Sequence, residues 1–247
     1  MIKTDAPLPW AATTEGPLAA LFELTQDIGG HWFSADKTML DLEDGAVGAI
    51  RGLTNDAKLT PVEPNEGNLK PGSGGVVFTE GLHCGLWLEG GIDRAERFSI
   101  AVVYDSPDDA AKTLLTVNDQ RGRNYAFISE GEGMLRAKDD ENQFEIDVPI
   151  QAGPNKRAVI LSRTAGSVGL HVFGQKPKVV LGRVPGLRGP ADLFVGCRSH
   201  RGGLLKTLGA SVVHEVFAFP GLALHEGATD IERKASFALD RYIQWSA

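Results

Sequence analysis

The sequence predicts an all-β sandwich with a short helix at each end, on three observations. Short apolar strands follow one another closely through the middle of the chain, with no long helical pattern between them. The 30 Gly and 13 Pro supply the many turns that such a fold needs. Finally, residues 210–219 are largely apolar on both strand faces, which is typical of a strand inside a sheet.

Length and charge narrow the class of protein. A chain of 247 residues with 42% hydrophobic residues suits one large sandwich domain with a sizeable core. The net charge of −7 argues against non-specific binding to nucleic acid or to an anionic membrane. Because no run approaches 18 apolar residues and the first residues lack a secretory signal pattern, we expect a protein made in the cytoplasm and not inserted into a membrane.

The first 29 residues are interpreted as an N-terminal extension. Between Thr14 and Gly30, a Pro after a polar cap, apolar residues at helical spacing and a closing Gly-Gly predict a short amphipathic helix. Since this helix precedes the strand pattern, its apolar face is a candidate contact for a second copy or another particle protein. Covering a sheet edge of the same chain is the alternative.

The sandwich itself is predicted to span residues 30–227. Its clearest strand is 97–104, where Phe98, Ile100 and Val102 alternate with residues of the opposite face. In 210–219, strict alternation puts Glu215 on one face and His214 on the other. Residues 55–75 and 174–190 are predicted to be loops. The other strands of this region are predicted at 83–88, 113–117, 125–129, 134–137, 144–148, 157–162, 167–173 and 193–197.

Residues 228–247 are predicted to be a C-terminal helix packed on the sandwich. Thr229 and Glu232 have the spacing of a capping box, in which each residue satisfies the other's backbone N–H at a helix start. Apolar residues from Ile231 to Ile243 form one helix face.

Several stretches resemble a known family. They are the opening residues Trp32, Phe33, Ala35 and Asp36, then Gly45, Val47 and Ile50, the strand 76–81, and the closing stretch 192–224. Over roughly residues 30–225 the chain resembles the concanavalin A-like lectin/glucanase superfamily with its laminin G-like jelly-roll relatives, in particular phage or gene-transfer-agent members. The resemblance implies a jelly-roll sandwich, a fold that hosts lectins, hydrolases and virion parts.

One motif resembles a catalytic motif of this superfamily. Glucanases of this superfamily carry three carboxylates on one strand, and Glu145 and Asp147 match the first two by spacing. The third is absent, because Val148, Pro149 and Ile150 occupy its positions, while retaining hydrolysis needs a second carboxyl about 5 Å from the nucleophile. We therefore interpret Glu145 and Asp147 as a solvated strand face and expect a protein that is not an enzyme.

No cofactor is predicted. The turn acids Asp105, Asp108 and Asp109, or Asp139, Asp140 and Glu141, offer oxygen ligands and keep Ca²⁺ open as an alternative, but they lack a defined ligand spacing. Cys84 and Cys197 are predicted to be buried thiols rather than part of a disulfide framework.

The preferred binding residues lie in one turn between two strands: Asn118, Asp119, Arg121, Arg123 and Asn124. Amide and guanidinium groups engage neighbouring sugar hydroxyls in pairs, and an Arg also suits an acidic sugar. We expected Asp119 and Arg123 to be exposed. A plain hairpin turn is the alternative, and the basic segments 176–188 and 198–201 are the next choices.

These observations favour a non-catalytic, lectin-like protein that recognises cell-surface polysaccharide. The predicted cytoplasmic synthesis and the resemblance to phage-type members suggest a spike or fibre component of a phage-like particle. In that setting the two terminal helices would attach the domain to other particle proteins or form a homo-oligomer. The alternatives are a purely structural virion protein and a glycoside hydrolase.

Overall fold

The computed structural model describes residues 16–66, 69–106, 111–119, 124–151, 156–182, 187, 189–200 and 205–246. Helix α1 is Pro17–Asp27 and helix α2 is Asp230–Ser246. The strands are β1 (His31–Ser34), β2 (Leu40–Glu43), β3 (Ala46–Arg51), β4 (Lys58–Pro61), β5 (Lys70–Pro71), β6 (Val76–Phe78), β7 (Leu86–Ile92), β8 (Phe98–Asp105), β9 (Lys112–Asn118), β10 (Tyr125–Gly131), β11 (Met134–Asp139), β12 (Glu145–Pro149), β13 (Arg157–Arg163), β14 (Ser167–Val172), β15 (Lys178–Leu181), β16 (Ala191–Val195) and β17 (Ser211–Pro220).

The strands form two sheets. The eight-stranded sheet has the order β15-β14-β13-β8-β17-β6-β5, with β1 also paired to β17, and the nine-stranded sheet has the order β12-β11-β10-β9-β16-β7-β4-β3-β2. Their inner faces pack against each other, as where Ile100 and Val102 of one sheet share a core with Leu115 and Leu193 of the other. The predicted jelly-roll sandwich with a helix at each end is therefore confirmed.

A second core lies on the other face of the eight-stranded sheet. Trp32, Phe217 and Phe219 of the sheet pack there against Leu21 of α1 and Leu239 of α2. The apolar face of α1, which the sequence analysis offered to a partner, is thus buried inside the chain. Of the two alternatives for this face, the structure has cover within the same chain, on a sheet face rather than a sheet edge, because the eight-stranded sheet is apolar on both sides and needs a cover.

The capping box of α2 is confirmed. The Thr229 N–H donates to Glu232 Oε2 (3.0 Å), and the Glu232 N–H donates to Thr229 Oγ1 (3.2 Å). Glu232 Oε1 also accepts from the N–H of Ala223 (2.8 Å) and forms an ion pair with Arg97. One carboxylate therefore attaches the start of α2 to the sandwich.

Two predicted loops contain strands. Residues 55–75 include β4 and β5, and residues 174–190 include β15 at the end of the eight-stranded sheet. These strands are only two to four residues long and contain Lys or Pro. Their pairing comes from neighbouring backbone, which is a tertiary contact that local sequence does not signal.

Strand β17 differs from strict alternation. Its register with β8 shifts between Val213 and Glu215, so His214 is the extra residue of a β-bulge. Val213 consequently joins Val216 in the main core, while Glu215 and Phe217 point to the helix side. The predicted placement of Val213 and Glu215 on one face is wrong because a bulge reverses the alternation.

Both cysteines are buried, as predicted, and the structure shows both as free thiols. Burial raises the pKa of the Cys197 thiol to about 12. Among the described residues, no helix combines the length and hydropathy needed to span a membrane.

Candidate functional site

The preferred turn joins β9 to β10 at one end of the nine-stranded sheet. Asn118 ends β9 and lies opposite Tyr125, the first residue of β10. Arg121 and Arg123 lie outside the described residues. The turn therefore connects two consecutive strands of the sandwich, as the sequence predicted.

Two of the five preferred side chains are buried. Asp119 is 2% exposed and Asn124 is 1% exposed, so the expectation that Asp119 is exposed is wrong. Asn124 Nδ2 donates to Asp139 Oδ2 (3.0 Å), and Asn124 Oδ1 accepts from the N–H groups of Tyr125 (2.9 Å) and Asp140 (3.2 Å). Asn124 therefore closes the ends of the turn, as Asn commonly does where backbone groups need partners.

The outer face of the nine-stranded sheet carries a line of side chains in register. Trp87 of β7 lies opposite Phe194 of β16, Phe194 opposite Thr116 of β9, and Thr116 opposite Phe127 of β10. Directly opposed side chains on one sheet face are close enough to contact each other. The rings of Trp87 and Phe194 are stacked with centroids 6.2 Å apart.

The loop after β16 folds back over this line. Gly196 makes the turn with a φ of 75°, and a Cβ there would lie 2.3 Å from Phe78 Cε1, so only Gly fits. Thr116 Oγ1 then donates to the Cys197 carbonyl (3.0 Å), and Asn118 Nδ2 donates to the Arg198 carbonyl (3.0 Å). The first-choice turn and the second-choice basic loop of the sequence analysis are thus neighbours.

Arg198 and His200 lie on the aromatic rings. The Arg198 guanidinium is 3.8 Å from the ring centroid of Phe127 and 5.9 Å from that of Tyr125, both within the range of a cation–π contact. The His200 ring meets Trp87 edge-on at 4.2 Å. Burial, and then a hydrogen bond to Asp140, raise the pKa of the Tyr125 hydroxyl, and Arg198 opposes this rise.

We name this surface the aromatic face and define it by Trp87, Tyr125, Phe127, Phe194, Arg198 and His200. Phe127 and Phe194 are covered, whereas Trp87, Tyr125, Arg198 and His200 are half-buried. The aromatic face therefore offers flat apolar rings beside fixed hydrogen-bond donors. The sequence analysis did not predict the approach of Arg198 to Tyr125. The available signal was Phe194, which alternates with the core residues Leu193 and Val195 and lies four residues before Arg198.

The glucanase-like pair lies on the edge strand β12. Glu145 is exposed and Asp147 is half-buried, while Ile146 and Val148 are buried on the other face. Asp147 Oδ1 lies 3.4 Å from Arg136 Nε in an ion pair. The predicted alternation is confirmed.

No metal centre is found where the chain is described. In those residues, no three His, Cys, Asp or Glu side chains are grouped as a metal site requires. Asp139 accepts hydrogen bonds from the N–H groups of Gln143 (2.7 Å) and Phe144 (3.2 Å), so it serves its own turn. Asp108 and Asp109 lie outside the described residues.

A cavity of about 230 Å³ opens on the opposite side of the molecule. It lies beside the β17 bulge, between the start of α1 and the end of α2, and its walls include Trp32, Glu215, Tyr242 and Trp245. The sequence analysis proposed none of these residues for a site.

No protein-family model matches the sequence, and no curated protein sequence matches it. Solved structures match in fold. Trypanosoma rangeli sialidase in complex with sialic acid aligns with a TM-score of 0.58 and 13% identity, over 87% of this chain and 33% of the sialidase chain. Domain 4 of AbnA, a GH43 extracellular arabinanase from Geobacillus stearothermophilus, in complex with arabinotriose, aligns with a TM-score of 0.53 and 15% identity, over 82% of this chain and 97% of that chain.

The chain therefore spans about a third of the sialidase and nearly all of the arabinanase domain. At these identities the likeness shows a shared β-sandwich fold and leaves function to the residues of the site.

Proposed function

We propose that this protein is a non-catalytic carbohydrate-binding protein and that the aromatic face is its glycan site. One observation carries the proposal. The loop after β16 is attached to the end of β9, and it holds Arg198 over Phe127 beside the half-buried Tyr125. A guanidinium fixed next to an aromatic ring can bind sugar hydroxyls while the ring contacts an apolar sugar surface.

The chemistry of the aromatic face suits a sugar better than an apolar ligand. A pyranose has an apolar side that packs on an aromatic ring and hydroxyls that need planar polar partners. Trp87 and Tyr125 supply rings at two points of the sheet face, and Arg198 supplies paired N–H donors with a positive charge. An acidic polysaccharide is therefore the favoured class of ligand.

Two of the structurally similar proteins support a sugar ligand by their own complexes. The sialidase structure contains sialic acid and the arabinanase domain contains arabinotriose. Because the shared property is the fold, these complexes support the class of ligand and do not place it on this chain.

A glycan array followed by affinity measurements on two variants tests the proposal. Tyr125→Ala and Arg198→Ala should each weaken binding of the best glycan by about tenfold or more, the loss expected for a stacked ring or a charged hydrogen bond. Arg136→Ala is the matched control. Arg136 lies on the same sheet face but pairs with Asp147 and Glu132, so binding should be unchanged.

Each result bears on the proposal. Undiminished binding in both variants with unchanged melting temperature would move the site away from the aromatic face. Absence of any glycan binding by the wild-type protein would favour a purely structural protein. Release of reducing sugar by the wild-type protein would favour a glycoside hydrolase.

We also propose the particle setting predicted from the sequence, in which the protein is a spike or fibre component of a phage-like particle. Its support is the resemblance of the sandwich to phage-type members. Since the inner faces of α1 and α2 cover the eight-stranded sheet, an assembly contact would use the outer side of this helix layer, where Phe237 of α2 is exposed. Native mass spectrometry tests self-association, and a monomer at every concentration would contradict a homo-oligomer.

A further inference from the structure

We name the cavity beside the β17 bulge the bulge cavity. It lies where β17 changes its neighbouring strand. Strand β17 pairs with β6 through Val213 and with β1 from Glu215 onward, so one neighbour replaces the other at His214. The Ala35 N–H donates to the His214 carbonyl (2.8 Å) across this break. A bulge re-aims side chains, and here it turns Glu215 toward the helix layer.

Aromatic side chains form one wall of the bulge cavity. The rings of Trp32 and Tyr242 meet edge-on at 4.9 Å, and the rings of Tyr242 and Trp245 are 6.1 Å apart. Trp32 is buried, whereas Trp245 is 63% exposed at the end of α2. The wall therefore continues from the protein interior to solvent, and a ligand can enter over Trp245.

A carboxylate stands at the inner end of this wall. Glu215 Oε1 accepts from the Tyr242 hydroxyl (2.8 Å), and Glu215 Oε2 accepts from Trp32 Nε1. Within the described residues, Glu215 has hydrogen-bond donors but forms no ion pair. Burial raises the pKa of Glu215, while the hydrogen bonds from Trp32 and Tyr242 and the charge of Lys156 oppose this rise.

Three other titratable side chains line the bulge cavity, and each has a hydrogen-bond partner. Lys156 Nζ donates to the Ser246 carbonyl at the end of α2 (3.0 Å). His214 is hydrogen-bonded to the Gly74 carbonyl (2.7 Å) and to Asp105 (2.8 Å). Asp36 accepts from Thr38, and hydrogen bonds from Thr38 hold the pKa of Asp36 below its usual range. With Glu215 ionised, the two carboxylates of Glu215 and Asp36 outnumber the single ammonium group of Lys156, whose partner is an uncharged carbonyl, so the cavity lining keeps a net negative charge.

We propose that the bulge cavity binds a small organic ammonium ion, with its charge beside Glu215 and its methyl or methylene groups against Trp32, Tyr242 and Trp245. Aromatic rings attract such cations through their electron-rich faces, and a carboxylate adds the counter-charge. A neutral ligand of the same shape would leave Glu215 without a counter-ion. The volume, about that of eight water molecules at roughly 30 Å³ each, suits a cation of the size of choline.

This site is independent of the proposed glycan site. The bulge cavity lies on the helix side of the eight-stranded sheet, and the aromatic face lies on the outer side of the nine-stranded sheet. The ligands also differ, because an acidic sugar suits Arg198 whereas a cation suits Glu215.

Choline and its neutral isostere 3,3-dimethylbutan-1-ol are the probes for a test by calorimetry and by NMR of the indole N–H signals. The wild-type protein should bind choline at least about tenfold more tightly than the isostere, with shifts at Trp245 and not at Trp87. Glu215→Gln should remove this preference. Trp245→Ala should weaken choline binding, and the fold should stay intact because Trp245 is exposed. Arg198→Ala should leave choline binding unchanged.

The pH dependence of choline affinity distinguishes binding that needs the Glu215 carboxylate from binding that depends only on the shape of the cavity. Because choline is a permanent cation, only the protein titrates, and affinity should fall as pH is lowered through the raised pKa of Glu215. Glu215→Gln should bind choline with the same affinity across that range. Equal binding of choline and the isostere, no binding of choline, or shifts confined to Trp87 would each overturn the proposal.

Discussion

Replacing Leu21 by Ala tests whether α1 is part of the folded unit or an appendage. Leu21 is 0% exposed and lies in the second core with Trp32, Phe217 and Leu239. The substitution removes three buried carbon groups, each contributing about 0.8 kcal/mol, and leaves a cavity. We expect the free energy of unfolding to fall by about 3 kcal/mol, which corresponds to a decrease in melting temperature of roughly 6–12 °C for a domain of this size.

Urea unfolding followed by tryptophan fluorescence and by circular dichroism measures this loss. The two probes should give one transition in the wild-type protein if the helix layer and the sandwich unfold together. The matched control is Glu23→Ala, an exposed position on the same helix, which should change the free energy of unfolding by less than about 0.5 kcal/mol.

The reasoning fails if Leu21→Ala is as neutral as Glu23→Ala. That result would mean that α1 adds no stability to the sandwich in solution, and it would favour the interpretation of residues 1–29 as an extension for a partner. An early, separate transition in the Leu21→Ala variant would show instead that the helix layer detaches before the sandwich unfolds.

Three further substitutions each remove or neutralise one carboxylate. Glu232→Ala should lower the free energy of unfolding by about 3 kcal/mol, because it removes the capping box, an acceptor for the buried Ala223 N–H and an ion pair with Arg97. Glu226→Ala is the control: it removes the other ion pair of Arg97 at an exposed site and should cost less than about 1 kcal/mol. Equal losses for the two variants in denaturant unfolding would contradict the role of Glu232. Glu145→Gln should change the free energy of unfolding by less than about 0.5 kcal/mol and leave reducing-sugar release at its wild-type value, because Glu145 is exposed on an edge strand. A loss of glycan cleavage on this substitution alone would show that the protein is an enzyme.

Part of the candidate site could be predicted from the sequence. Asn, Asp and Gly between two alternating strands located the turn between β9 and β10, and the basic residues after β16 were a second choice. The contact between them was not predictable, because Asn118 and Arg198 are 80 residues apart and meet only through the pairing of β9 with β16. Burial of Asp119 and Asn124 also depends on neighbours that the turn sequence does not name.

The sequence by itself determined the elements whose signals are local. Alternation in β8, the capping box of Thr229 and Glu232, and the outward position of Glu145 depend on residues within a few positions of one another, and backbone geometry then allows few alternatives. Only the tertiary structure decided where α1 packs and how β17 is bulged. The second core requires Leu21 to meet strands far along the chain, and His214 becomes an extra residue because β17 changes its neighbour from β6 to β1 at that point. Both outcomes depend on contacts between distant segments, so no local pattern of residues specifies them.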